Sequence, residues 1–321
     1  MPSKILILAD PKGKAFDFAK DIYNKLSNNP RKKRVYSFGE VEIKKFNDGE
    51  IFAKVNESVR KKTCFFIHDS SMNPQDWLVS LALVNDALKR SDAAKVDNVL
   101  PYIRYGRQDR MAEPRTPISA RIVADIIQDK AYRVITTDLH NPATQGYYNI
   151  PFDNLKSYPV IIKHLKENYS EFLKNAVVVS PDMGSAVKAK SYAGRLGLNV
   201  VLTDKERKKA GVVGEMTIVG DIKDKNALIV DDMIDTAGTL CRSAEILKQR
   251  GAKQIYACAT HGIFSKDAKE RINNSFLDKV IVTDSIPQDK DGKIEIVSLT
   301  DLFAEAIYRI SHGESISELF K

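Results

Sequence analysis

The chain predicts an α/β fold in two halves, each a mainly parallel sheet flanked by helices. Three observations carry this expectation. Short apolar runs alternate with helical patterns along the whole length, the signature of parallel-sheet architectures. Several runs, such as residues 227–230, are apolar without period-two alternation, as in strands buried on both faces. The halves also echo each other. ALKRSDAAKVDNVLPYI and EILKQRGAKQIYACAT both run helix end, basic cluster, small residues, lysine, strand.

The elements follow in order. In the first half, strand-like runs occupy 4–9, 63–68, 96–102 and 132–138, with helical patterns over 74–90 and 117–128 between them. The second half repeats the scheme: NAVVVSPD, SAVKAKSYAGRLG, NVVLTDK, NALIVDD, a helix opening after Thr236 and closed by Gly251, QIYACATHG and KVIVTDS. A chain of 321 residues has room for two domains with a core each. They are expected over 1–155 and 156–321, with the joint near 154–158.

Composition excludes several classes. No apolar run approaches a membrane span. The N-terminus, MPSKILILAD, enters a strand without a signal-peptide pattern, so a cytoplasmic location is expected. Cys64, Cys241 and Cys258 are too few and scattered for a disulfide framework or zinc site, and read as buried or free thiols. A net charge of +8 suits polyanionic ligands. The basic cluster RKKR at 31–34 reads as a solvated turn, because the chain has no nucleic-acid fold motif. No nucleic-acid or membrane partner is expected.

The densest chemistry is in ALIVDDMIDTAGT, residues 227–239. A buried strand leads into an acidic turn and then a helix N-terminus, where α/β sheets bind ligands and helices bind phosphate. Asp231 and Asp232 can accept from sugar hydroxyls, and backbone N–H groups with Thr236 and Thr239 can hold a phosphate, which suggests a phosphorylated pentose. A capped helix behind a solvated acidic turn is the plainer alternative. In SPDMGS, Asp182 and Gly184 form a tight strand-to-helix turn suited to a diphosphate and a metal ion. TDLH ends a strand with His140, either structural or functional. In KFNDGEIF, Phe46 can stack on a base and Asp48 or Glu50 can accept from its amino group, unless the segment is only a surface hairpin. YGRQDR places Arg107, Gln108 and Asp109 after a strand end. DKERKKAGVVGEM is either a solvated loop or a lid with cationic phosphate clamps.

Taken together, these stretches resemble the ribose-phosphate diphosphokinases, the phosphoribosyl pyrophosphate synthetases of the phosphate-activated class. The resemblance runs nearly end to end, through FNDGEIF, ESVR, RYGRQDR, PISARIVAD, TDLH, QGYYNIPFDNL, VVSPDMG, DKERKKA, VGDIKDKNALIVDDMIDTAGT, ATHGIFS, RINNSF and HGESISELF. It implies two tandem phosphoribosyltransferase-like domains. Phe46, Asp48 and Glu50 would bind adenine, in the family from a neighbouring subunit. Arg107 and Gln108 would contact ATP, and His140 and Asp182 the magnesium of MgATP. Asp231, Asp232, Asp235, Thr236, Ala237, Gly238 and Thr239 would hold ribose 5-phosphate, and Lys205 and Arg207 would be the catalytic cations of a mobile loop. The family commonly forms hexamers that phosphate activates and ADP inhibits at a subunit interface. Ser58, Arg60, Gln145, Asp153, Asn154, Ser315 and Ser317 resemble parts of that site. Two positions depart from the pattern: Ser185 stands where a second glycine is usual, and Asp92 where a small hydroxyl residue is common.

Three functions compete. A synthetase would transfer the diphosphoryl group of ATP to ribose 5-phosphate. A phosphoribosyltransferase would use the same DDMIDTAGT loop to consume the product, but a duplicated chain with an adenine-type turn in its other half argues against it. A non-catalytic regulatory subunit would carry an insertion in the mobile loop and altered catalytic positions, whereas here the loop is short and Lys205 and Arg207 are present.

Overall fold

Two seven-stranded sheets share one strand order. The structure, a computed structural model, describes residues 4–31, 33–181, 184–205 and 216–320, and for 203–205 and 216–218 it gives the backbone alone. The first sheet and its helices run β1 (Ile5–Ala9), α1 (Phe16–Ser27), β2 (Tyr36–Lys45), β3 (Ile51–Val55), β4 (Thr63–Ile67), α2 (Pro74–Arg90), β5 (Lys95–Val99), α3 (Ser119–Gln128), β6 (Arg133–Thr137), a 3-10 turn (Pro142–Tyr147) and β7 (Phe152–Leu155). The second run is α4 (Tyr158–Asn168), α5 (Ser170–Leu173), β8 (Ala176–Ser180), α6 (Ala186–Leu196), β9 (Asn199–Lys205), β10 (Met216–Val219), β11 (Asn226–Ile234), α7 (Gly238–Gln249), β12 (Ile255–Gly262), α8 (Ala268–Asn273), β13 (Lys279–Thr283) and β14 (Ile294–Val297). Helix α9 (Thr300–His312) and a 3-10 turn (Ser317–Phe320) follow.

The strand orders are β3-β2-β1-β4-β5-β6-β7 and β10-β9-β8-β11-β12-β13-β14. In each sheet the third strand pairs antiparallel with the second, and every other pairing is parallel. The duplication heard in the sequence is therefore a duplication of topology. The echoing segments are α2–β5 and α7–β12, which lead into the fifth strand of their own sheets. Both helices close through a left-handed residue, Asp92 (φ 65°) in one half and Gly251 (φ 88°) in the other. Glycine enters that region freely, and aspartate is among the few other residues that tolerate it.

Helix α2 shows how local sequence and packing agree. Asn73 accepts a capping bond from the Gln75 amide, Pro74 starts the first turn, and Trp77, Leu81, Val84 and Leu88 bury one stripe. That stripe packs with Val123 and Ile127 of α3 on Leu6, Leu8, Phe66 and Val96 of the sheet. Trp77 is completely buried, and truncation to alanine costs about 3–5 kcal/mol. In the second sheet the two faces are covered separately. Leu240, Ala244 and Leu247 of α7 meet Val179, Ile229 and Val282 on one side. Ile161 and Leu165 of α4 and Ala189 of α6 meet Val178, Leu228 and Val230 on the other. This double cover explains the apolar runs without alternation.

The chain separates into two compact units: Met1–Lys156 with Ser285–Pro287 and Leu299–Lys321, and Ser157–Asp284 with Gln288–Ser298. The sequence expectation placed everything after 156 in one domain, and the structure differs for the C-terminal segment. Helix α9 packs on α1 of the first unit, with the Phe18 and Phe303 rings edge to face at 5.7 Å and Lys25 bonded to Asp301 at 2.7 Å. The apolar stripe of α9, including Leu302, Phe303, Ala306 and Ile307, finds its cover there. A second difference concerns 231–234. These residues were expected to turn, but β11 continues because β12 keeps pairing with it, Met233 opposite His261 and Ile234 opposite Gly262.

Candidate active site

The residues singled out in the sequence fall on both units, and each group has its own geometry. In the first unit, β2 and β3 form a hairpin whose register runs to Lys45 opposite Ile51. The turn is closed by Phe46 N–H donating to the Glu50 carbonyl at 2.8 Å and Gly49 N–H to the Phe46 carbonyl at 3.0 Å. Gly49 adopts φ +94°, a conformation costly for any side chain. The Glu50 amide donates to Asp48 Oδ1 at 3.1 Å, so one oxygen of that carboxylate shapes the turn. Phe46 remains half exposed, its ring set against Phe52 at 5.8 Å. The segment is a surface hairpin, and its tip presents an aromatic face beside carboxylates.

Two more strand-end turns of this unit are bonded to each other. After β5, Gln108 is fixed by Ser119, whose hydroxyl donates to Oε1 at 2.5 Å, and by the Ala120 amide, which donates to the Gln108 carbonyl at 3.0 Å. The amide group of Gln108 therefore keeps its N–H donors for other acceptors. After β6, Asn141 donates from Nδ2 to Asp109 Oδ2 at 2.5 Å and accepts from the Ala143 amide at 3.0 Å. Tyr147 donates to the Asp109 carbonyl at 2.5 Å. The turn of Arg107 and Gln108 is thus tied to that of His140. Arg107, Gln108 and His140 are all exposed. Sequence reasoning missed Ser119, Asn141 and Tyr147, since nothing in their local pattern points to partners up to 38 residues away.

The residues that resemble a regulatory site lie at four places in the first unit. Exposed Ser58 and Arg60 precede β4, Gln145 sits in the 3-10 turn, Asp153 and Asn154 lie on β7, and Ser315 and Ser317 share a hydroxyl bond of 2.8 Å. Asp153 is paired with Arg133, and Asn154 accepts from the Leu139 amide at 3.2 Å. Arg60 is joined to Asp92, because a bridge between Arg60 and Ala93 brings the two segments together.

In the second unit, Asp231 and Asp232 stand near the end of β11. Ser185, at the start of α6, donates to Asp231 Oδ1 at 2.9 Å, and the Asp232 amide donates to the same oxygen at 2.8 Å. Lys188 lies 3.7 Å from Asp232. Burial, and then the neighbouring Asp232, push the Asp231 carboxyl up to about 7. Asp235 to Ala237 lead into α7, which Gly238 and Thr239 begin. Ala237 takes the left-handed conformation at φ 57°, a strain of roughly 1–3 kcal/mol of the kind stored at ligand sites. At the N-cap it offers no side-chain oxygen to the first turn. A Cβ on Gly238 would lie 3.2 Å from Arg271 Nη1, so the loop is closely packed there. The arrangement offers sugar acceptors followed by helix N–H donors.

The corresponding place in the first unit is closed from within. After β4, the Asp69 carboxylate accepts from the Lys14 amide at 2.7 Å, the Ser71 amide at 2.8 Å and the Ser71 hydroxyl at 2.7 Å. Its own carboxylate takes donors that an anionic ligand would otherwise use. Asp182 and Arg207 lie outside the described residues, as does the side chain of Lys205, whose backbone ends β9 opposite Met216. Among the described residues no cluster of three or more His, Cys, Asp or Glu could hold a metal ion.

Comparison with known proteins bears on the whole chain. A family profile described as the N-terminal domain of ribose phosphate pyrophosphokinase matches residues 13–130, and one described as the phosphoribosyl synthetase-associated domain matches residues 212–321. The ribose-phosphate pyrophosphokinase of Campylobacter jejuni is 45% identical over 87% of this chain and 90% of its own length. That of Helicobacter hepaticus is 43% identical over 94% of this chain and 98% of its own. The crystal structure of phosphoribosylpyrophosphate synthetase from Mycobacterium smegmatis superimposes with a TM-score of 0.86 at 29% identity, covering 97% of this chain and all of that one. With motifs, duplicated topology and full-length relatives in agreement, the chain belongs to the ribose-phosphate pyrophosphokinase family.

Proposed function

We propose that the protein transfers the β,γ-diphosphoryl group of MgATP to the 1-hydroxyl of ribose 5-phosphate, giving 5-phosphoribosyl 1-pyrophosphate and AMP for nucleotide biosynthesis. The observation that carries this reading is the division of labour between the units. One has an aromatic–carboxylate hairpin and paired strand-end turns, while the other has carboxylates leading into an uncapped helix N-terminus.

Little covalent work falls to the protein in such a transfer, which is a matter of alignment and charge. Asp231 and Asp232 accept from the sugar hydroxyls. The first-turn N–H groups of α7, with Thr236 and Thr239, hold the 5-phosphate. Arg107 and Gln108 contact ATP, and the Phe46 turn receives the adenine of a neighbouring subunit. Lys205 and Arg207 neutralise charge on the moving group. His140 and Asp182 would hold the magnesium of MgATP, whose charge would weaken the repulsion between the two anionic reactants. The ion needs few protein ligands where phosphates and water supply the rest, which fits a donor set of His140, acting through water, and Asp182.

Assembly as a homo-oligomer, a hexamer by family resemblance, is supported by exposed apolar residues at i, i+4 spacing: Val79 and Leu83 on α2, Ile122 and Ile126 on α3. No described helix is long and apolar enough to cross a membrane. The likeness to ribose-phosphate pyrophosphokinases supports a cytoplasmic enzyme. Purified protein with ATP, magnesium and ribose 5-phosphate should release AMP and phosphoribosyl pyrophosphate in equal amounts. No AMP from the protein alone, with activation of a partner synthetase, would mark a regulatory subunit instead.

A further inference from the structure

Asp231 is a half-buried carboxylate with two donors on one oxygen. The Asp232 amide is a backbone group that any sequence would supply. The second donor, the Ser185 hydroxyl, comes from another element 46 residues away. Two bonds converging on Oδ1 fix the carboxylate about its Cβ–Cγ axis, while a carboxylate retains further acceptor capacity for a ligand hydroxyl. Ser185 is itself only 8% exposed, and it is the N-cap residue of α6, a helix anchored by buried Ala189, Tyr192 and Ala193. The donor is therefore held by packing.

We infer that Ser185 is a positioning residue for ribose 5-phosphate binding: its hydroxyl holds Asp231 in the orientation and the ionised form that accept from the sugar. The inference rests on the proposed function and adds a residue to it. The charged surroundings explain why a donor matters. Asp232, on the same strand, opposes ionisation of Asp231, and Lys188 of α6 favours it. Asp235 lies beyond the strand end, and buried His261 of β12 pairs opposite Met233, two residues further along β11. Burial favours the neutral acid, so a hydroxyl donating to the anion acts against the largest destabilising influence. The sign follows. Removing the donor raises the carboxyl further, and the ionised form is lost at a higher pH.

The test is the pH profile of kcat/KM for ribose 5-phosphate in the wild-type enzyme and in Ser185→Ala, Ser185→Gly and Ser185→Thr. Ser185→Ala should move the acid limb up by about one unit, roughly a tenfold loss near pH 6 and less than about twofold near pH 9. Ser185→Gly should shift it the same way, Ser185→Thr should restore it, and KM for ATP should not change. A loss equal at every pH, or an unshifted limb in both Ser185→Ala and Ser185→Gly, overturns the inference while leaving the proposed activity intact. A wild-type enzyme that forms no phosphoribosyl pyrophosphate overturns the activity itself.

Discussion

The Arg60 guanidinium is held by Asp92, Nη1 donating to Oδ2 at 3.2 Å, and Lys61 binds the other oxygen at 3.1 Å. Both pairs are largely exposed and contribute little to stability, at most about 1 kcal/mol. Their consequence is for anions. Arg60 resembles part of a phosphate-activation site, and here it already faces a carboxylate of its own chain. An incoming phosphate must compete with that carboxylate and feel its repulsion. Phosphate activation should therefore be weak, and Asp92→Ser should strengthen it. A phosphate titration with strong activation at low concentration, the same in Asp92→Ser, would contradict this.

The bond from Asn141 to Asp109 predicts a nucleotide effect. It joins the turn of Arg107 and Gln108 to that of His140 at 2.5 Å. Asn141→Ala leaves a half-buried carboxylate oxygen without its donor, a loss of about 1–3 kcal/mol distributed over the two turns. KM for ATP should rise roughly five- to tenfold, with KM for ribose 5-phosphate unchanged. Steady-state kinetics with each substrate varied in turn separates the two constants, and equal rises in both would point to general loosening.

Base selectivity should follow from the Phe46 turn. Asp48 keeps one oxygen in the turn and has the other to offer, and Glu50 is exposed beside it. Either carboxylate accepts from the amino group of adenine but opposes the carbonyl of guanine. A site built on such a bond rejects analogues that lack it. ATP should be strongly preferred, and comparable kcat/KM values for ATP and GTP would show that the turn does not read the base.

Lys205 and Arg207 should act chiefly on the chemical step. Residues two apart share one face wherever a segment is extended, so in that conformation the pair would reach one phosphoryl group. Contacts that strengthen as charge moves to the leaving AMP raise kcat more than they tighten binding. Lys205→Ala should lose about a hundred- to a thousandfold in kcat, with KM for ATP changed only a fewfold. Arg207→Ala should behave alike, and the double variant should fall short of additivity. Lys208→Ala and Lys209→Ala should do much less. Surviving kcat with a raised KM would reduce Lys205 to a nucleotide ligand.

The local sequence determined the elements that carry their own signals. Helix α2 lies over 74–90 as its cap, proline and apolar stripe require, and the central strands are apolar because both faces are covered. The echo between α2–β5 and α7–β12 announced a repeated topology. DDMIDTAGT reads as a sugar- and phosphate-type turn because capping a helix does not need three aspartates. The tertiary structure decided what depends on partners far along the chain. Helix α9 joins the first unit because its apolar stripe meets α1, a pairing that spans most of the sequence. Strand β11 runs on to Ile234 because β12 continues beside it. Asp69 closes one strand-end turn while Ser185 props the aspartate of the other. Asn141 reaches Asp109, and Arg60 reaches Asp92. Short-range periodicity and capping act within a few turns and can be read from adjacent letters. The direction of a buried hydrogen bond is set only once distant strands have paired and brought donor and acceptor within 3 Å of one another.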